Sequence, residues 1–104
     1  MAQFKFISVE DARKKLLDSQ TILVDIRDVE SYLNSRLKSA VHLSEKNLSD
    51  FVKGTPKKTP VMVMCYHGKS SQGVAHYLTI QGFENVYSIE GGYEAWEKEI
   101  SREF

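Results

Sequence analysis

Two four-residue runs in this chain are almost wholly apolar, Thr21-Ile22-Leu23-Val24 and Val61-Met62-Val63-Met64. They are strand-sized, and they lack the strict apolar–polar alternation of a strand with one wet face. β-Branched residues predominate in the first. Such runs suit central strands of a parallel sheet, whose crossover helices cover both faces. Val86-Tyr87-Ser88-Ile89 reads as a further strand.

The segments between these runs supply the helices. Phe4-Lys5-Phe6 alternates like a short strand. Ser8 then opens a helix with Asp11 three residues on, a capping-box-like pair, and Val9, Ala12, Leu16 and Leu17 form its apolar stripe. That helix fades near Asp18–Gln20. Asp28 can cap a short helix through Tyr32 and Leu33, Ala40 to Leu43 reads as a small strand, and Asn47 or Ser49 can open a short helix carrying Leu48, Phe51 and Val52. Pro56 and Pro60 make Gly54 to Pro60 an exposed loop. A helix beginning at Ser71 presents Val74, Ala75, Leu78 and Thr79 inward and stops at Gly82, where a left-handed residue is commonly needed. Gly91-Gly92 leads into a final helix bearing Ala95 and Trp96. Strand and helix alternate without repeats, the pattern of a three-layer α/β domain.

Composition narrows the function classes. At 104 residues the chain has the size of one domain, spanning residues 1–104. It can bury roughly 65% of its extended surface without staples. Basic and acidic residues number 14 each, which argues against a nucleic-acid binder that depends on neutralising phosphates. The charge is uneven along the chain, with Glu94, Glu97, Glu99 and Glu103 near its end. No run approaches the ~20 apolar residues of a membrane span. The leading MAQFKFISVEDARKK has no apolar core of a secretory signal, so the expected location is the cytoplasm. A single cysteine, Cys65, rules out an internal disulfide or a multi-thiolate zinc site, and His42, His67 and His76 are scattered.

Cys65 is the candidate nucleophile. It follows a buried strand at the end where open α/β folds place ligands. The segment Tyr66-His67-Gly68-Lys69-Ser70 separates it from a helix opening at Ser71. A short glycine-bearing turn can point successive N–H groups inward, and the helix N-terminus adds positive potential, so the two favour an anion or the thiolate itself. A lone cysteine beside an apolar strand is otherwise an inert small hydrophobe. Two reactions fit an oxyanion-holding thiolate: attack on phosphorus, and attack on the outer sulfur of a sulfane donor. Phosphoryl transfer prefers a forked guanidinium. This loop has no arginine, which favours sulfur transfer.

The residues VDIRDVESY, AVHL, VMVMCYHGKSSQGVAHYL and YSIEGGYEAW, in that order, resemble the single-domain rhodaneses, bacterial thiosulfate sulfurtransferases among them. The resemblance runs through nearly the whole chain, and CYHGKSS is its sharpest element. It implies a five-stranded, mostly parallel sheet with helices on both faces. Cys65 would cycle between thiolate and persulfide. The amides of Tyr66, His67, Gly68, Lys69, Ser70 and Ser71 would hold substrate or persulfide, with Lys69 and Ser70 lining the pocket. Asp25 and Arg27 match the family's Asp-x-Arg, which organises neighbouring loops, and Trp96 matches a packing tryptophan. The implied substrate is thiosulfate; cyanide, dithiols or a thioredoxin-like protein would accept the sulfur and sulfite would leave. Neither cofactor nor metal is needed. Three positions depart from the common pattern: Ser70 stands where many members have arginine, Arg36 where many have histidine, and Ser39 where many have glycine.

Each residue also has a plainer reading. Asp25 and Arg27 can be a structural ion pair, His42 a core-edge histidine, Gly91-Gly92 a turn, Trp96 simple packing, and Tyr66 either a packing residue or one that shapes the pocket mouth. Two other functions compete: a small cysteine phosphatase or arsenate reductase, and a rhodanese-like module that only docks another protein.

Overall fold

The computed structural model describes residues 3–101, with side chains to residue 99, so Glu103 lies outside the described residues. Strand and helix alternate: β1 (Lys5–Ile7), α1 (Val9–Lys15), β2 (Ile22–Asp25), α2 (Val29–Asn34), β3 (Val41–His42), α3 (Leu48–Gly54), β4 (Val61–Met64), α4 (Ser70–Ile80), β5 (Val86–Ile89) and α5 (Gly92–Ser101). The strands form one sheet in the order β1-β5-β4-β2-β3, and every pairing is parallel.

Two cores flank the sheet because β4 is apolar in both directions. Met62 and Met64 point to one side, packed with Leu23, Ile89, Ala12, Tyr93 and Trp96, so α1 and α5 cover that face. Val61 and Val63 point to the other side, packed with Val24, Ala75, Leu78 and Phe83, where α4 and α3 lie. All four β4 side chains are fully buried. Burying a Val or Met side chain contributes about 1.5–3 kcal/mol, so this strand alone anchors much of the domain.

The helix boundaries follow local chemistry. Ser8 Oγ accepts from the Asp11 N–H at 3.1 Å, and Glu10 and Asp11 against Arg13, Lys14 and Lys15 match the helix dipole. Asp28 caps α2 through the Ser31 N–H, also at 3.1 Å. Gly82, at φ +103°, ends α4. Its N–H donates to the Thr79 carbonyl while that of Phe83 donates to Leu78, the bond pair of a Schellman motif.

Several local expectations shift. Leu17 is 86% exposed rather than on the α1 stripe, because α1 closes at Leu16 and the tighter bonds from Leu17 and Asp18 to the Lys14 and Lys15 carbonyls swing the chain outward. In β1 it is Ile7 that enters the core while Phe6 lies exposed on this edge strand. The Ala40–Leu43 strand shrinks to Val41–His42, and α4 begins at Ser70, one residue ahead of Ser71, with Lys69 in the cap position.

Connections from β2 and β4 run in opposite directions, β2 outward to β3 and β4 across to β5. Their carboxyl ends therefore border the switch point at which parallel sheets open a crevice. Leu78, fully buried, fastens α4 to the sheet behind that crevice. Leu78→Ala should cost about 2–5 kcal/mol, read as a lower denaturant midpoint with an unchanged slope.

Candidate active site

Cys65 is the first residue after β4, and its side chain is buried. Its thiol sits inside the turn that joins β4 to α4. The Gly68 N–H donates to Sγ at 3.0 Å, and Sγ lies 3.4 Å from Ser71 Oγ. Gly68 reaches this position with φ +91°, where any Cβ would stand 2.7 Å from the Gly91 nitrogen. Glycine is therefore required there for conformation and for space. Gln72 Nε2 donates to the Gly68 carbonyl at 2.9 Å, holding the outer side of the turn.

The beginning of α5 fixes the other end. The Tyr93 N–H donates to the Cys65 carbonyl at 2.8 Å, and the Glu94 N–H donates to the Tyr66 carbonyl at 3.1 Å. Helix-start amides lack partners within their own helix, so these bonds satisfy both sides. Gly92 makes the approach possible: a Cβ there would lie 2.4 Å from the Cys65 carbonyl oxygen. The glycine pair is thus more than a turn, because it is the seat on which the cysteine loop rests. With two carbonyls held toward α5, loop amides are free to turn toward sulfur.

The thiol's acidity reflects these contacts. Burial opposes ionisation and is the largest single influence. Donors from the Ser71 hydroxyl and from the Ser71, Gly68 and His67 amides together outweigh it, so Cys65 titrates below the ordinary thiol range. Of the six loop amides expected to face an anion, those of His67, Gly68 and Ser71 act on the sulfur. Tyr66 is 46% exposed, with its ring 4.7 Å from that of His67. His67 contributes its amide but turns its ring outward, placing Nδ1 3.2 Å from a Glu94 carboxylate oxygen. Glu94 also faces Lys98 at 3.6 Å. Lys69 and Ser70 are exposed at the α4 start.

Asp25 and Arg27 form a buried pair beside the loop rather than a proton-transfer site. Arg27 Nε lies 3.0 and 3.1 Å from the two Asp25 oxygens, and one terminal nitrogen lies 2.8 Å from Oδ2. The guanidinium stacks 3.9 Å from the Tyr93 ring centroid and donates to the Ser35 carbonyl at 2.6 Å. The pair thereby ties β2, the segment after α2, and α5 together. His42 Nε2 is 2.8 Å from the Arg27 carbonyl, a core-edge role. Trp96 is buried in the core beneath α5.

Arg36 and Ser39 are both exposed. Arg36 lies over the Tyr32 ring at 5.0 Å, and the Ala40 N–H closes the local turn on the Leu37 carbonyl at 3.0 Å. No non-glycine residue among those described has positive φ, so Ser39 fits without the conformation reserved for glycine. A cleft of about 650 Å³ opens by Ile26, Val29, His42 and Leu43, and no residue of the Cys65 turn lines it.

One contact was not legible as part of the site. Ser88 of β5, fully buried, lies 2.8 Å from Ser71 Oγ. A serine inside an otherwise apolar strand was the available signal.

A family model for the rhodanese-like domain matches residues 8–99. The chain belongs to that family. Similar solved structures include a rhodanese-related protein from Thermoplasma volcanium (20% identity, TM-score 0.78, 92% of this chain and 93% of that one). A rhodanese-like domain protein from Staphylococcus aureus is 26% identical, with a TM-score of 0.78 over 89% of this chain and 91% of the other. A Rhodopseudomonas palustris protein of unknown function, named a possible tyrosine phosphatase, is 21% identical with a TM-score of 0.78, covering 92% and 81%. This rhodanese-like domain accordingly has the five-stranded α/β fold that its sequence motifs imply.

Alkylation of Cys65 followed against pH should show a midpoint below that of a free thiol; a normal or higher midpoint would contradict the donor arrangement. A folded-state value below the unfolded one also stabilises the fold. That contribution is present above the unfolded thiol's pKa and is lost as pH falls through the lowered value. Arg27→Met should leave the Asp25 carboxylate buried without its partner and cost about 3–5 kcal/mol, measured by chemical unfolding.

Proposed function

We propose that this domain is a thiosulfate sulfurtransferase acting by double displacement through Cys65, of the kind found among small bacterial rhodaneses. The observation that carries the reading is the Gly68 amide donating to a buried sulfur whose ionisation is favoured. The Cys65 thiolate attacks the outer sulfur of thiosulfate. The sulfur–sulfur bond breaks, sulfite departs with the electron pair, and Cys65 carries a persulfide. A nucleophilic acceptor then takes the terminal sulfur, and Sγ leaves with its electron pair as the thiolate. Cyanide, a dithiol or a thioredoxin-like protein are the proposed acceptors.

The amides of residues 66–71 serve as the anion clamp, first for thiosulfate and then for the persulfide, while exposed Lys69 adds positive charge at the rim. This is nucleophilic catalysis with preorganised electrostatic stabilisation. It uses only groups of the protein, and sulfite needs no proton to leave. A working thiol suits a reducing compartment, and we place the protein in the cytoplasm.

A second reading, phosphatase chemistry, has one observation in its favour, the possible phosphatase among the similar folds. Against it, the turn from Cys65 to Ser71 holds no arginine to grip phosphate oxygens.

Intact-mass spectrometry distinguishes the readings. Thiosulfate should add one sulfur, ~32 Da, to the wild-type chain as the covalent intermediate, and cyanide or a dithiol should remove it. Cys65→Ser should keep the fold and show no adduct, because an alcohol is scarcely ionised at neutral pH. A phosphatase would instead take up phosphate from an aryl ester, and a docking module would show neither adduct. Sulfurtransferase turnover by the serine variant would refute the assignment of Cys65.

A further inference from the structure

Behind the loop lies a polar contact that the proposed reaction does not use directly. Ser71 and Ser88 are each fully buried, and their hydroxyl oxygens are 2.8 Å apart. Ser71 Oγ is also 3.4 Å from Cys65 Sγ. Register explains the meeting. Ser88 pairs with Val63 in the sheet, two residues before Cys65, and β5 alternation turns Ser88 to the side that Val86 faces, where α4 packs. Ser71 is on the first turn of α4 and looks back at that face.

A serine hydroxyl has one proton and two acceptor sites, so a row of two hydroxyls and a sulfur has two consistent arrangements. With a protonated thiol, the S–H donates to Ser71 and the Ser71 hydroxyl donates to Ser88. With a thiolate, the sulfur can only accept. Ser71 must then turn its single proton to Sγ, and its lone pair is free to accept from Ser88. Without a hydroxyl at residue 88, the Ser71 oxygen would lose that donor in a site from which water is excluded. Burial makes such an unmade bond costly.

We propose that Ser88 is a positioning residue for the Cys65 thiolate, its hydroxyl orienting that of Ser71 so that Ser71 donates to Sγ. Ser88 touches neither substrate nor sulfur; it acts through Ser71. The inference takes Cys65 as the working thiol of the reaction proposed above. The same geometry gives Ser88 a role in both halves of that reaction, since the thiolate is the attacking group in the first and the departing group in the second.

The ionisable groups carried by the surrounding elements are Tyr66, His67 and Lys69 on the loop, His76 and Tyr77 on α4, Tyr87 on β5, Tyr93, Glu94, Glu97, Lys98 and Glu99 on α5, and the Asp25–Arg27 pair at the end of β2. Substitution at residue 88 leaves all of them in place, so a change in thiol acidity reports the hydroxyl row.

The test is the pH dependence of Cys65 alkylation by iodoacetamide in wild type, Ser88→Ala, Ser71→Ala and the double variant. Ser88→Ala should raise the midpoint by about half a pKa unit, the size of one modest hydrogen bond. In the Ser71→Ala background the same change should do nothing, because the intermediary is gone. An unchanged midpoint in Ser88→Ala, or an equal rise in both backgrounds, overturns the proposal. Ser88→Thr and Ser88→Val give a nearly isosteric pair should alanine weaken the fold. Threonine should keep the lower midpoint and valine should raise it, and equal midpoints overturn the proposal too. Alkylation needs no sulfur donor, so these outcomes stand apart from whether thiosulfate yields a persulfide.

Discussion

Two hydrogen bonds from the start of α5 to the loop carbonyls of Cys65 and Tyr66 hold the site in its working shape. A peptide unit cannot point its carbonyl and its N–H the same way. Fixing these carbonyls toward α5 therefore helps to aim loop amides at the sulfur. The bonds form because Gly92, at positive φ and without a Cβ, lets the helix start touch the loop backbone, while Gly91, also at positive φ, leaves room for Ala95 one turn on. The buried Trp96 and Tyr93 keep α5 at that distance, and Arg27, stacked on Tyr93 and paired with Asp25, braces the same helix from β2. Residues remote from Cys65 thus converge on the orientation of a few amides.

Opposed forces set the acidity of Cys65. Its burial resists charge, and the converging donors supply more than burial takes away. Only preorganised groups achieve this, because a donor that must first abandon water gains little on net. The Gly68 amide is preorganised by a conformation that only glycine adopts comfortably, the Ser71 amide by the helix that follows. Rigidity and reactivity have the same origin here.

The fold was legible because its central strands are apolar in both directions. Val61–Met64 admits few environments other than the middle of a covered sheet, and it lies between β2 and β5. Caps at Ser8 and Asp28 and the stop at Gly82 were legible for a similar reason, since each answers to local backbone chemistry. Cys65 and its loop could be picked out from residue types and spacing. The contribution of Ser88 could not, because it depends on which face of β5 meets α4, a matter of sheet register and helix docking. The ring direction of His67 was hidden likewise: Glu94, its partner, lies 27 positions along the chain. Leu17 shows the converse error. Its apolar character fits a helical stripe, but the helix ends just before it.

The order of elements along the chain has a bearing on how the protein is made. β5 and α5 come after the cysteine loop in sequence, yet they supply its seat, the partner of Ser71, and the strand beside β1. A nascent chain that has left the ribosome only as far as α4 already exposes Cys65 but lacks the backbone amides of Tyr93 and Glu94. That chain already holds the Gly68 and Ser71 donors to the sulfur, but not the bonds that fix the Cys65 and Tyr66 carbonyls. The cysteine loop therefore gains its carbonyl anchors, and Ser71 its buried partner, only once the last strand and helix have docked.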